Sequence, residues 1–226
     1  MSALHLTFDD GPHPELTPRI LETLASSEAT ATFFVLGARV REHPQLVDQI
    51  LEAGHRVELH GDEHLDHRHA SAGALARDTG RAIRTLTDQG IRLGWWRLPW
   101  GRPGPSTEAL VKRTALRVIG WDADTHDWRG DGWDQQPETV RDTARSGGVV
   151  LLHDGFGPGA TRSDGANTVE IVERLLAGAA SHGTPVRALP PVESLGTLEA
   201  LPGAGDTGRA FRISPAPLPE PLECAA

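Results

Sequence analysis

The feature that most constrains this 226-residue chain is a regular alternation of short apolar runs with amphipathic segments. The apolar runs have the length of buried β-strands, and the segments between them repeat apolar residues at helical spacing. Strands that alternate with helices favour a parallel sheet. The predicted strands are residues 4–8, 31–36, 55–59, 93–97, 116–121, 148–152 and 185–189. The predicted helices are residues 15–27, 44–53, 72–89, 106–115, 137–146 and 166–181.

Seven βα units in a chain of this length predict a closed or nearly closed α/β barrel. The sequence has no internal repeat and no domain boundary before about residue 196, so residues 1–196 are predicted to form one domain. Residues 197–226 are rich in Pro, Ala and Gly and have little periodicity. They are predicted to form a C-terminal tail that wraps the barrel or lies loose.

Charge and hydropathy exclude several classes of partner. The formal net charge of −9 argues against nucleic acid and anionic membranes, because the chain has no basic surplus to neutralise phosphates. No apolar stretch approaches the roughly 18 residues that a membrane-spanning helix needs. The first residues lack the basic and apolar regions of a signal peptide, which predicts a cytoplasmic location.

Histidines cluster after the third predicted strand. In HGDEH, His60 and His64 have the i, i+4 spacing that brings two imidazoles together on a helical turn or in a tight loop. His67 and His69 follow closely, so the spacing alone leaves open which imidazole is the second ligand, and a surface pair is the alternative. Because parallel strands end on one rim, Asp10 is predicted to lie beside them. Two histidines and one carboxylate form a common ligand set of catalytic zinc.

The first predicted strand ends in two adjacent acids, Asp9 and Asp10, followed at once by Gly-Pro. Adjacent carboxylates repel each other, and a cation bound by Asp10 relieves that repulsion. Asp9 is then free beside the cation, where it can take a proton from water. The alternative is a turn with two solvated carboxylates. The neighbouring histidines favour the catalytic interpretation.

Three further strand ends carry side chains suited to acid–base chemistry. Arg97 precedes a Pro-Trp-Gly loop and can orient Asp9, although a structural salt bridge explains it equally well. His153 ends an apolar strand as a candidate general acid or a hydrogen-bonded structural histidine. In GWDADTHDW, Asp127 can pair with a histidine of the rim and Trp128 can wall an apolar pocket, unless the segment is a plain loop with core tryptophans.

Together these motifs resemble the NodB homology domain of the polysaccharide deacetylases, carbohydrate esterase family 4. They occur in the family's order, and the resemblance covers roughly residues 4–195. It implies a distorted (β/α)7–8 barrel and a metal-dependent hydrolase that removes N-acetyl groups from amino sugars and releases acetate. The motifs are TFDDGP (7–12), H-x3-H (60–64), RLPWG (97–101), D-x-x-D-W (124–128) and L-x-H-D (151–154).

The resemblance also implies a role for each matched polar residue. Asp9 would be the catalytic base, tethered by Arg97, and His153 would be the general acid, tuned by Asp127. The cation would be Zn²⁺ or another divalent ion such as Co²⁺, Ni²⁺ or Mn²⁺. Its implied ligands are Asp10, His60 and His64.

Substrate contacts are implied for aromatic and apolar residues. Leu151 and Trp128 would line a pocket for the acetyl methyl group, and the Trp100 backbone N–H would help to stabilise the oxyanion. The chain has no tyrosine, so sugar stacking would rest on Trp100, Trp128 and Trp133. One departure concerns Gly61, which stands where the family usually has Ser or Thr. The metal-binding loop must therefore be held in another way.

Two alternatives stay open. A hydrolase of another C–N bond, such as a deformylase or a cyclic amide or imide hydrolase, could use the same fold. A non-catalytic sugar-binding module would keep the groove without turnover. The Gly-rich stretch 155–167 is interpreted as a flexible connection or as a loop over the groove, with Arg162 meeting an anionic group.

Overall fold

The computed structural model describes residues 2–192. The predicted alternation is confirmed, with seven parallel strands in one sheet, in the order β5-β4-β3-β2-β1-β7-β6. The strands are β1 (Leu4–Asp9), β2 (Thr32–Leu36), β3 (Arg56–Gly61), β4 (Trp95–Trp96), β5 (Arg117–Val118), β6 (Ala123–Asp124) and β7 (Gly148–His153). The helices are α1 (Leu16–Ala25), α2 (Gly37–Glu42), α3 (Pro44–Glu52), α4 (Ala72–Asp88), α5 (Thr107–Thr114), α6 (Glu138–Ser146) and α7 (Ala166–His182).

The sheet curls into a half-barrel with helices packed against it, so the predicted distorted barrel is confirmed. The central strands β1, β2 and β7 are almost fully buried, as expected for parallel strands covered on both faces. The two edge strands, β5 and β6, are short and do not pair with each other within the described residues. The barrel is therefore open on the side between them.

Strand register sets the geometry of the polar rim. In the β1–β7 ladder Asp9 lies opposite His153, and in the β6–β7 ladder Asp124 lies opposite Leu151. Because all seven strands run in the same direction, their carboxyl ends meet on one face. The register thus brings the predicted acid and base residues to adjacent positions.

Three predicted elements differ from the structure. The predicted strand 185–189 forms only a single bridge, from Val186 to Leu4, because β2 and β7 already occupy both sides of β1 along most of its length. The predicted strand 116–121 contributes only β5, after which the chain crosses to the opposite edge of the sheet and forms β6. The short helix α2 was not predicted. The predicted domain end at 196 and the tail 197–226 lie outside the described residues.

Apolar side chains fill both faces of the sheet. A large cluster between sheet and helices includes Leu6, Phe8, Phe33 and Trp96. A smaller cluster around Phe34 and the fully buried Trp95 occupies the inner, concave side. Within residues 2–192 no helix has the length and hydropathy to cross a bilayer.

Candidate active site

The turn after β1 places two carboxylates at the rim. Asp9 is the last residue of β1, and Asp10 follows in the left-handed region with a φ of 74°. The next residue must be glycine, since a Cβ on Gly11 would lie 2.1 Å from an oxygen of the buried Asp154. The backbone N–H of Asp154 also donates to the Asp9 carbonyl at 3.1 Å. The turn is thus clamped against the end of β7.

Three predicted metal ligands converge beside this turn. Asp10 Oδ1 lies 3.3 Å from His60 Nε2 and 3.3 Å from His64 Nε2. The three donor atoms all lie within 4.8 Å of one another. His60 Nδ1 donates to the Arg97 backbone carbonyl at 2.8 Å, which leaves the Nε2 lone pair facing the cluster. Asp10 Oδ1 is buried without a hydrogen-bond partner. An orphaned carboxylate oxygen between two free imidazole nitrogens fits a divalent cation.

The two other histidines of this segment lie outside the cluster. His67 is buried, and its Nδ1 lies 3.0 Å from the Thr107 hydroxyl. The His69 side chain is 77% exposed and lies 3.9 Å from Asp66. Among His64, His67 and His69, only His64 thus belongs to the cluster with Asp10 and His60.

The carboxylates of the cluster favour a positive charge between them, supplied by a proton on His60 or by a cation that displaces this proton. Burial opposes the charge on His60, but Asp9 and Asp10 outweigh burial and raise its pKa. Burial, aided by the charge of His60, lowers the pKa of His64 to about 4, so this imidazole is neutral at physiological pH. Burial alone would raise the pKa of Asp10, yet the histidines around it hold that pKa well below the usual range. The result is an ionised acid next to imidazole nitrogens.

A buried arginine fixes Asp9. Arg97 has no exposed surface, and its Nη1 lies 3.1 Å from Asp9 Oδ1 and 2.6 Å from the Thr7 hydroxyl. Its Nη2 donates to the Gly120 carbonyl at 2.8 Å, and the guanidinium stacks 4.4 Å from the Phe34 ring centroid. These contacts bring together Arg97 and Asp9, as predicted.

On the other side of the turn, Asp127 holds His153. Asp127 Oδ1 lies 2.7 Å from His153 Nδ1, and its Oδ2 accepts the His153 backbone N–H at 3.0 Å. Burial opposes protonation of His153, but the charge and hydrogen bond of Asp127, aided by the charges of Asp10 and Asp9, raise its pKa to about 9. The same contact holds the pKa of Asp127 at about 2 despite its burial. His153 is therefore a cationic acid at neutral pH.

Arg162 is placed differently from the prediction. It is buried, donates to Asp127 Oδ2 at 2.9 Å, and also donates to the backbone carbonyls of His153 and Gly155. Arg162 also contacts the Thr168 hydroxyl, which donates to Asp127 Oδ2 at 2.7 Å. Arg162 is thus part of the support of the His153–Asp127 pair, and it does not line the cavity described below.

A cavity of about 520 Å³ opens above these residues. Trp100, Trp128 and Leu151 line it, as predicted, together with Trp121, which was not predicted. Trp100 has a φ of 61°, a conformation that is rare for a bulky residue, and the residue is 44% exposed at the rim. This cavity has the volume and mixed apolar and polar lining of a small-ligand site.

The structure places Trp133, a predicted stacking residue, away from the cavity. This residue begins a 3₁₀ turn (Trp133–Gln135), packs against the main core cluster, and carries the Arg141 guanidinium 5.1 Å from its ring centroid. It does not line the cavity. The tryptophans that line the cavity are Trp100, Trp121 and Trp128.

A glycine-rich loop closes one end of the cavity. A Cβ on Gly157 would lie 2.3 Å from Asp10 Oδ2, and one on Gly159 would lie 3.1 Å from the Trp100 ring. Of the two interpretations of residues 155–167, the loop over the groove matches this placement, and its glycines allow the backbone to approach Asp10 and Trp100. Asp124 and His126, which also line the cavity, were missed as individual site residues.

The carboxyl rim of this parallel half-barrel carries three residues that could hold a cation, an acid bound to an arginine, and a histidine bound to an aspartate. This combination is typical of metal-dependent hydrolases. A family profile described as Polysaccharide deacetylase matches residues 2–119, which is more than half of the chain. The chain belongs to the polysaccharide deacetylase family, and the resemblance found in the sequence is confirmed.

Individual relatives agree with the family. The chain is 32% identical over 195 residues to a chitooligosaccharide deacetylase of Sinorhizobium fredii, covering 83% of this chain and 90% of the relative. It is 32% identical over 173 residues to a peptidoglycan-N-acetylglucosamine deacetylase of Bacillus cereus, covering 76% and 78%. The fold resembles that of a family 4 carbohydrate esterase from Streptomyces lividans, with a TM-score of 0.73, 24% identity and coverage of 95% and 98%.

Proposed function

We propose that this chain is a metal-dependent deacetylase that hydrolyses the N-acetyl group of an amino sugar and releases acetate. The observation that carries the proposal is the meeting, in one cavity, of the Asp10–His60–His64 cluster with the Asp9 and His153 side chains. The relatives named for chitooligosaccharide and peptidoglycan-N-acetylglucosamine support a substrate that contains N-acetylglucosamine.

The metal ligands in this proposal are Asp10, His60 and His64. Two imidazoles and one carboxylate suit Zn²⁺ best, with Co²⁺, Ni²⁺ and Mn²⁺ as alternatives. A bound divalent cation polarises an acetamide carbonyl and makes water more acidic. The Nδ1–H bond from His60 to the Arg97 carbonyl fixes the ring so that Nε2 faces the cation.

Asp9 is the proposed base. Arg97 binds its Oδ1 at 3.1 Å, which leaves Oδ2 on the side of the metal cluster, 3.9 Å from His60 Nε2. The carboxylate is therefore oriented before the substrate arrives. Asp9 Oδ2 takes the proton of the water that attacks the acetyl carbonyl carbon.

His153 is the proposed acid. Its Nδ1 faces Asp127 Oδ1 at 2.7 Å, so its Nε2 is the ring nitrogen that can reach the substrate. The raised pKa keeps the ring protonated at neutral pH. His153 Nε2 gives its proton to the sugar nitrogen as the C–N bond breaks, and acetate and the free amine leave.

The cavity walls orient the sugar and the acetyl group in this proposal. Leu151 and Trp128 contribute apolar surface next to His153, and Trp100 offers an exposed ring for stacking on the sugar. The Trp100 backbone N–H is the proposed donor to the oxyanion.

Acetate release tests the proposal directly. The purified full chain, loaded with Zn²⁺, is incubated with N-acetylated chitooligosaccharides and with peptidoglycan fragments, and acetate and free amine are measured. We expect equal amounts of both products, loss of activity on chelation and recovery on adding Zn²⁺. Failure to release acetate from the whole panel would contradict the proposal.

The same assay separates the two alternatives. A hydrolase of another C–N bond would release formate or open a cyclic amide without producing acetate. A non-catalytic sugar-binding module would bind the oligosaccharide and leave it unchanged. The buried Arg97–Asp9 and Asp127–His153 contacts disfavour such a module, because binding alone does not require an oriented base and a protonated acid.

A further inference from the structure

The metal-binding loop between His60 and His64 adopts an unusual backbone. Gly61 has a φ of 136° and His64 has a φ of 56°, both in the region that L-residues rarely adopt. Glycine adopts such a conformation without strain, but a histidine does not. Contacts elsewhere in the fold must therefore hold His64 in this conformation.

One buried carboxylate contacts the loop backbone at two successive residues. Asp78 Oδ2 accepts the Asp62 N–H at 2.9 Å, and Asp78 Oδ1 accepts the Glu63 N–H at 2.9 Å. Asp78 lies in α4 and is only 9% exposed. Within residues 2–192 it has no other hydrogen-bond partner and no salt bridge. Burying a carboxylate without a paired cation costs stability. The two hydrogen bonds of Asp78 to the loop therefore explain its position better than helix packing does.

Gly61 and Asp78 fit each other. A Cβ on Gly61 would lie 3.3 Å from Asp78 Oδ2 and 3.5 Å from Pro99, so a serine or threonine there would crowd the carboxylate. The positive φ of Gly61 would add strain to any such side chain. In this chain the loop is braced by an acid from α4, where a hydroxyl at position 61 was expected from the family.

We propose that Asp78 is the positioning residue of the metal-binding loop: by fixing the Asp62 and Glu63 amides it aims His64 Nε2 at Asp10. The inference depends on the proposed metal site. Asp78 lines no part of the catalytic cavity, so it acts only through the loop. Asp62 itself is held by two contacts from Arg41, at 2.6 and 3.0 Å, which ties the other side of the loop to α2.

The test measures metal affinity in the full chain. Asp78→Asn keeps the shape but replaces one acceptor oxygen by an NH₂ group that faces a backbone N–H. We expect a rise of about tenfold or more in the Kd for Zn²⁺ by calorimetry, and a changed Co²⁺ absorption spectrum that reports loss of His64. Asp88→Asn is the matched control, since it removes the same charge from the exposed end of α4 and should leave both readouts unchanged.

A purely structural role predicts a different result. In that case the melting temperature of the Asp78→Asn protein falls while its Kd for Zn²⁺ and its Co²⁺ spectrum match the wild type, which would overturn the inference. Asp78→Glu, with its longer carboxylate, should restore part of the affinity that Asn loses. If Asp78→Asn does not fold, Asp78→Glu gives the test on its own: we expect a Kd for Zn²⁺ above that of the wild type, and an unchanged Kd would refute the inference.

Different results would refute the proposed metal site and the role of Asp78. A wild-type protein that binds no Zn²⁺, or whose Zn²⁺ affinity does not depend on Asp10, would refute the metal site itself. A wild type that binds Zn²⁺ through Asp10, together with an Asp78→Asn protein of equal affinity, would refute only the role of Asp78.

Discussion

Replacing Asp127 with asparagine tests how the fold keeps His153 protonated. Asp127 Oδ1 lies 2.7 Å from His153 Nδ1, and neither group is accessible enough for water to screen their attraction effectively. The pKa of His153 is raised to about 9 from a usual 6.5. At 1.36 kcal/mol per pKa unit, this corresponds to roughly 3 kcal/mol in favour of the imidazolium.

Asp127→Asn removes the charge that opposes the effect of burial, so the pKa of His153 must fall. The general acid must be protonated, and activity is therefore lost as pH rises through this pKa. We expect the alkaline limb of the kcat/KM profile for acetate release to move down by about 1 pH unit or more. At pH 8 the variant should then be roughly tenfold or more slower. A bound cation lowers the pKa in both proteins, so the difference between them is the quantity to compare.

Thr168→Val is the control for this prediction. It removes a neutral hydroxyl that donates to Asp127 Oδ2 at 2.7 Å and leaves the carboxylate charge in place. Its alkaline limb should stay where it is or shift slightly upward. Metal content and melting temperature are measured for both variants. An Asp127→Asn enzyme that keeps its metal and shows an unchanged alkaline limb would refute the reasoning.

Three further predictions concern the base, the metal and the aromatic wall. Asp9→Asn should lower kcat by about 10²–10⁴-fold with metal content unchanged by elemental analysis, and substantial residual turnover would remove Asp9 as the base. His64→Ala should weaken Zn²⁺ binding by more than about 100-fold in calorimetry, whereas His69→Ala should not change it; equal effects would refute the ligand assignment. Trp128→Ala should reduce kcat/KM by about tenfold through lost apolar contact, while Trp133→Phe should leave it unchanged, and the reverse order would overturn the cavity assignment.

Much of the fold was predictable because its signals are local. The apolar runs of β1, β2, β3 and β7 are long enough to be recognised, and parallel connectivity then places their carboxyl ends on one face. The two-residue strand β6 carries no such signal, and β5 covers only two residues of the apolar run 116–121. Their limits are set by pairing with β4 and β7, which is a property of the folded sheet.

The candidate site also has residues that were predictable from sequence and residues that were not. Asp9, Asp10 and His153 sit at strand ends, so their meeting follows from topology. Arg162 contacts Asp127, which lies 35 residues away in sequence, and Asp78 contacts the Asp62 and Glu63 amides, 16 and 15 residues away. Neither Arg162 nor Asp78 belongs to a strand-end motif. No local pattern distinguishes such a buried arginine or helix acid from a surface charge.

Trp133 is a predicted substrate contact that the structure places away from the cavity. It follows the D-x-x-D-W motif closely, and its residue type suits sugar stacking. The 3₁₀ turn that begins at Trp133 directs the ring toward Arg141 of α6 instead. Sequence proximity to a rim motif does not fix the direction of a side chain when a turn intervenes.

The metal cluster is the central claim, and anomalous X-ray scattering tests it most directly. Crystals of the full chain grown with Zn²⁺ are measured on both sides of the zinc absorption edge. The account predicts one strong anomalous peak about 2.0–2.2 Å from Asp10 Oδ1, His60 Nε2 and His64 Nε2. A crystal grown in excess Zn²⁺ that has no anomalous peak among these three atoms would contradict the claim. A strongest peak at His67 or His69 would contradict it as well.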